Sequence, residues 1–298
     1  MKDLIKSILI KLPIVGSIVV YFYYKIWLFD LCRFFNFPFE LSINNSRIKL
    51  YAKGQISKFI FMKKFEQTEL ELFSKLIKPG MTVVDAGANI GLYSLLASQL
   101  IGESGQVFSF EPSRETYSRL EKNIALNQVS NVKAFNLGLG DNNNQELVLR
   151  QDIGYEDAER YIVPQDVTID NDLENVSEIY KSESVKVVTL DSCLKNCGIN
   201  TIDFLKIDTE GFEYYILNGA KEYLKNPNLI LLFECTELGT QRANTSQKQV
   251  FDLLSEFGFE LYYWSEEVAN WCNDEEGCYR AGDLWATKSI DHLKGVLK

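Results

Sequence analysis

The chain has 298 residues, 46% of them hydrophobic, enough for one main core with appendages, and a formal net charge of −10. Residues 1–64 hold eleven Lys and Arg against three acids, so the remainder, with 20 cations and 38 acids, would repel a phosphate backbone, and no nucleic-acid partner is expected. A single histidine, His292, and six cysteines without close CxxC pairs argue against Ser-His or Cys-His nucleophiles and against zinc sites, and suggest reduced thiols in a cytosolic protein.

Residues 4–37 are apolar and basic, but their longest uncharged run, Leu12 to Tyr24, is thirteen residues, short of the roughly 20 that a helix needs to span a bilayer. No small-residue cleavage site closes the run, so it reads poorly as a secretory signal. The expectation is an arm over residues 1–40 lying on the inner, cytoplasmic membrane face, with Trp27 and nearby tyrosines at the interface and Lys2, Lys6, Lys11, Lys25 and Arg33 near anionic head groups. A true span, or an arm packed on protein, are the other readings. Residues 41–78 form lead-in strands and a helix over Glu66–Ile77, and residues 79–290 a single α/β domain.

Within that domain short apolar runs alternate with amphipathic ones, the signature of a parallel sheet covered by helices. Thr82–Asp85 is the first strand, and Leu92–Ile101 has helical spacing stopped by Gly102. Gln106–Glu111 is the second strand, Thr116–Leu126 its helix and Val132–Leu137 the third strand. Residues 141–184 interrupt the pattern as a long, mostly irregular, acidic insertion with one strand-like segment, Glu146–Leu149. Strands resume at Val185–Leu190, Ile202–Asp208 and Leu229–Cys235, with helices opened by Asp191, over Tyr214–Leu224, and from Thr245 or Ser246 to Phe257. Phe259–Trp264 and Asp283–Thr287 are expected to pair antiparallel.

Ligands of open parallel sheets bind at the carboxyl ends of the strands. The first strand ends in Asp85, and Gly87-Ala88-Asn89-Ile90-Gly91 turns into the helix. Its glycines let backbone pass close to a ligand, and the acid can hold a cationic group. The spacing is G-x-x-x-G and not the G-x-G-x-x-G of a pyrophosphate cradle, and the added carboxylate suits a sulfonium nucleoside better than NAD. Glu111, twenty residues after Gly91, is placed to accept both ribose hydroxyls.

A second cluster runs from Ile202 to Glu213. Asp208 closes a strand expected beside the first, Glu210 follows in the turn, and Glu234 ends the next strand. Three carboxylates on one rim can hold a hydroxyl nucleophile, accept its proton or bind a cation. Glu213 either complements its helix dipole or joins the site. Lys206 faces the other side of the sheet or pairs with an acid, and is assigned no chemistry.

Asp85-Ala-Gly-Ala-Asn-Ile-Gly91, Phe110-Glu111-Pro112, Val188-Thr-Leu-Asp191 and Leu205-Lys-Ile-Asp208-Thr-Glu-Gly211-Phe-Glu213 together resemble the FkbM family of methyltransferases, over roughly residues 65–290. The resemblance implies a Rossmann-like class I fold with a seven-stranded, mostly parallel sheet and helices on both faces. It implies S-adenosyl-L-methionine as cofactor, bound by Asp85, Gly87, Ala88, Asn89, Gly91, Glu111, Pro112 and Asp208. Methyl transfer to a hydroxyl of a sugar, glycan or other small metabolite follows, with Asp208, Glu210 and Glu234 as catalytic candidates and Asp208 the first choice of base. No metal ligand is predicted, although a divalent ion shared by Asp208 and Glu234 is conceivable. An NAD(P)-dependent oxidoreductase and a non-catalytic membrane-associated scaffold are the rival readings. Acceptor identity and oligomeric state have no signature here.

Overall fold

The computed structural model describes residues 39–43, 45–51, 55–61, 65–152, 160–164, 180–268, 270–273 and 283–296. Almost the whole of the arm over residues 1–40 lies outside these, and with it the expectation of membrane contact. Among the described residues no helix is long and apolar enough to cross a membrane.

The centre is a run of five parallel strands: β3 (Thr82–Ala86), β4 (Gln106–Phe110), β5 (Val132–Phe135), β10 (Phe204–Ile207) and β11 (Ile230–Glu234). Val83, Val84, Phe204, Leu205, Leu231 and Leu232 are all buried, as they must be when both faces of a parallel sheet are covered. The expected antiparallel pair also forms, between β12 (Glu260–Ser265) and β14 (Asp283–Thr287), and β14 docks on β11. A further edge strand, β13 (Asn270–Asn273), pairs with β12. The order is β13-β12-β14-β11-β10-β3-β4-β5. Seven strands therefore form the expected sheet and β13 makes an eighth.

Ahead of the domain, β1 (Phe39–Ile43) and β2 (Ser46–Leu50) form a hairpin, followed by α1 (Gln55–Phe61) and α2 (Gln67–Leu76). Helix α3 (Leu92–Ile101) has eight of its ten residues buried and crosses one face of the sheet, where Leu95, Ile101, Phe73 and Val83 share a core. Helix α4 (Arg114–Asn127) follows β4 after three residues, Glu111, Pro112 and Ser113.

The described parts of the insertion are mostly strand. β6 (Gly138–Leu139), β7 (Gln145–Asp152), β8 (Arg160–Val163) and β9 (Tyr180–Val188) make a second, mostly antiparallel sheet of order β6-β9-β7-β8. Leu147, Leu149, Val185 and Val187 alternate inward onto the core on the opposite face of the main sheet. The outer half of β9 has no apolar pattern to reveal it; it is a strand because its backbone pairs from Val187↔Gln145 to Tyr180↔Asp152.

The expected Tyr214–Leu224 helix is instead two short ones, α6 (Glu213–Asn218) and α7 (Lys221–Leu224), separated by Gly219 and Ala220. A Cβ at Gly219 would stand 1.9 Å from the carbonyl oxygen of Gly140, so the break is where two backbones touch. α5 (Leu190–Asn196) is capped by Thr189, α8 (Glu237–Arg242) by Thr236, and α9 (Gln247–Glu256) by Ser246.

Candidate active site

The turn after β3 is built by hydrogen bonding before any ligand is considered. The amides of Gly87 and Ala88 both donate to the carbonyl of Phe110, at 3.0 and 2.9 Å, and the amide of Gly91 donates to Ala88. The Asn89 amide donates to Glu111 Oε2 at 3.0 Å, and the Ser113 amide to Glu111 Oε1 at 2.9 Å. Gly87 has φ +81°, and a Cβ there would lie 1.9 Å from the Asp208 carbonyl oxygen, so glycine at this position is what allows β3 and β10 to finish side by side.

These bonds decide between cofactor classes. A pyrophosphate needs free backbone N–H groups, and the amides of Gly87, Ala88, Asn89 and Gly91 are all spent inside the protein. What the turn presents is acceptors. Asn89 Oδ1 has no partner among the described residues, and Asn89 and Glu111 both line the pocket. That suits ribose hydroxyls and a cationic ligand. Burial pushes Glu111 up to about 7, against backbone hydrogen bonds that pull it down.

The pocket has a cavity volume of about 100 Å³ and opens to solvent. Of the sequence-predicted residues, Gly87, Asn89, Glu111, Pro112, Asp208 and Glu210 line it. Asp85, Ala88, Gly91 and Glu234 do not. Asp85 is 2% exposed, and its Oδ2 accepts from Ser94 Oγ at 2.5 Å while Oδ1 has no partner among the described residues, so its first role is beneath the turn. Burial raises its pKa.

At the carboxyl ends of β10 and β11, Asp208, Glu210 and Glu234 each bring a carboxylate oxygen within 4.8 Å of the others. Such a trio can accept a proton, hold a hydroxyl group or take a hard cation. Glu213 serves the turn: its Oε1 accepts from the Thr209 hydroxyl at 2.9 Å and the Gly211 amide at 3.1 Å, which fixes Glu210 at φ 58°. Lys206 is buried and pairs with Asp208 at 3.0 Å while resting over the Tyr93 ring at 4.7 Å. Burial pulls the Lys206 ammonium down, but Asp208, Asp85 and Glu66 outweigh it and hold its pKa above the usual range.

Two acids beside this rim escaped the sequence reading. Asp283 is the cross-strand partner of Glu234, and Glu66 accepts from Tyr93 Oη at 2.6 Å. Burial and the neighbouring acids push Glu234 and Glu66 up to about 7 and Asp283 to about 8. No motif marks them, because Glu66 precedes the domain and Asp283 reaches the site only through the antiparallel return of β14.

The strand order β5-β4-β3-β10-β11-β14-β12 and a strand-end turn whose amides are closed to phosphate are those of a class I S-adenosylmethionine-dependent methyltransferase. Residues 85–261, more than half of the chain, match the methyltransferase FkbM domain, and the chain belongs to that family. Methyltransferase sdnD of Sordaria araneosa is 26% identical over 257 residues, 78% of this chain and 93% of that one. The 2-O-methyltransferase NoeI of Sinorhizobium fredii (strain NBRC 101917 / NGR234) is 25% identical over 193 residues, covering 63% and 76% of the two chains. Among solved structures, methyltransferase FkbM from Methylobacillus flagellatus KT matches 78% of this chain and 52% of its own, with 14% identity and a TM-score of 0.42.

Proposed function

We propose that the chain transfers a methyl group to a hydroxyl oxygen of a sugar, glycan or other polyhydroxylated small metabolite. The observation that carries this reading is that Asp208 and Glu210, which share with Glu234 a cluster of carboxylate oxygens within 4.8 Å of one another, line the same pocket as Asn89 and Glu111. S-adenosylmethionine, when bound, supplies a methyl group on a cationic sulfur, and Glu111 and Asn89 would hold its ribose and polar end. Asp208, paired through Oδ2 to Lys206, accepts the acceptor's hydroxyl proton, while Glu210 and Glu234 hold that hydroxyl and its neighbours. The chain otherwise contributes alignment, which in well-oriented reactions supplies roughly 7–11 kcal/mol of the barrier. The name of the relative NoeI, a 2-O-methyltransferase, agrees with a hydroxyl acceptor.

The test is to incubate the full chain with S-adenosylmethionine and a panel of methyl glycosides and hydroxylated metabolites, following S-adenosylhomocysteine release and a mass gain of one CH₂ per acceptor. Asp208→Asn is expected to keep S-adenosylhomocysteine binding and to lose about 10²- to 10⁴-fold in turnover. Ordinary turnover in that variant removes Asp208 as the base, and methylation confined to nitrogen or sulfur acceptors overturns the hydroxyl reading.

A further inference from the structure

The pocket lining is mixed: Asn89, Glu111, Asp208 and Glu210 supply polar groups, and its apolar residues include Leu137, Leu139, Leu149 and Ile162. Three of these, Leu139, Leu149 and Ile162, come from the accessory sheet. Leu149 of β7 and Ile162 of β8 are direct cross-strand partners, so their side chains lie next to each other on one face, both buried.

Arg160, two residues before Ile162 and so on the same face, also lines the pocket. It joins the accessory sheet to the first turn of α4, immediately beyond Glu111. Its Nε donates to Gln151 Oε1 at 3.2 Å, its Nη1 to the Thr116 hydroxyl, and its Nη2 stands 4.0 Å from Glu115. Lys181 of β9 lies 3.4 Å from the same Glu115, and the Arg114 amide donates to Glu183 at 3.1 Å. The second sheet is thus stapled to the segment that presents the ribose acceptor.

We propose that the accessory sheet is the purine-binding wall of the cofactor site, with Leu149 and Ile162 packed on the base and Arg160 holding that wall against α4. The inference rests on the cofactor reading above. Glu111 takes the ribose, the cationic end of the ligand goes to the carboxylates, and the flat, weakly polar base is left with the apolar surface.

Calorimetry on the full chain separates the two. The ligands are S-adenosylhomocysteine and S-ribosylhomocysteine, which keeps the amino acid, thioether and ribose but has no base. The wild type is expected to bind the adenosyl ligand at least about tenfold more tightly. Ile162→Ala and Arg160→Met are expected to weaken that ligand about tenfold and to leave the base-free one within about twofold, with Arg160→Lys recovering part of the loss. Equal affinity of the wild type for both ligands overturns the inference without any variant, and so does parallel weakening of both ligands in the variants, which is what a merely loosened fold would give. A wild type that binds neither ligand overturns the cofactor reading itself.

Discussion

Lys206 and Asp208 stand two residues apart on one face at the end of β10, and the Lys206 ammonium lies 3.0 Å from Asp208 Oδ2, with the Lys206 side chain 6% and that of Asp208 34% exposed. The same ammonium lowers the pKa of Glu66, Asp85, Glu234 and Asp283, which come from four different segments. One cation therefore offsets part of the cost of gathering this many acids around the end of β10. Lys206→Met is expected to destabilise the fold by about 2–3 kcal/mol. That is less than the roughly 3–5 kcal/mol lost when a fully buried pair is broken, because Asp208 keeps a third of its surface in water. Urea denaturation measures it, and a loss below about 0.5 kcal/mol would show that water already screens the group.

The acids themselves set a pH dependence. Burial pushes Glu66, Glu111, Glu213 and Glu234 up to about 7 and Asp283 up to about 8, from ordinary values of 4.5 and 3.8. As pH rises through this window the unfolded chain has released these protons while the native state still holds them, so the native state binds more protons and stability falls with rising pH. The ligand-free protein is expected to melt at a higher temperature near about pH 6 than near about pH 8. A Tm that rises across that interval contradicts the assignment.

Gly87→Ala places a methyl group against the Asp208 carbonyl in a left-handed conformation. The backbone strain alone costs about 1–3 kcal/mol, and relief of the clash moves the turn away from β10. Loss of S-adenosylhomocysteine binding together with a lowered urea midpoint is the expected result, and unchanged binding would mean that the turn can shift without disturbing the pocket.

Glu213 separates a turn-building role from a chemical one. Glu213→Gln keeps an acceptor for Thr209 and Gly211 and is expected to preserve turnover within about threefold, whereas Glu213→Ala leaves those donors unpaired and costs about 1–3 kcal/mol of stability. If Glu213→Gln is as inactive as Glu213→Ala in the methyl-transfer assay, the carboxylate itself takes part in the reaction.

Much of this protein was legible before folding. The parallel strands announce themselves because a strand buried on both faces must be apolar throughout, as Val83-Val84 and Leu231-Leu232-Phe233 are. The Asp85–Gly91 turn, Glu111 and Asp208 could be singled out because strand ends are where such sheets bind ligands. The accessory sheet was harder to see: β9 is polar along its outer half, and a strand held mainly by backbone pairing has no side-chain pattern to betray it.

The sequence by itself determined the family, the nucleotide-type turn and the chemical identity of the rim, since these are local and depend on residue type and spacing. Only the tertiary structure decided that Asp85 lies beneath the turn instead of lining the pocket, that Lys206 faces the acids, and that Glu66, Asp283 and Arg160 belong to the site's surroundings. Those placements depend on which strands become neighbours and in what register. Non-local backbone hydrogen bonding and burial settle that, and neither is encoded in the spacing of any one segment.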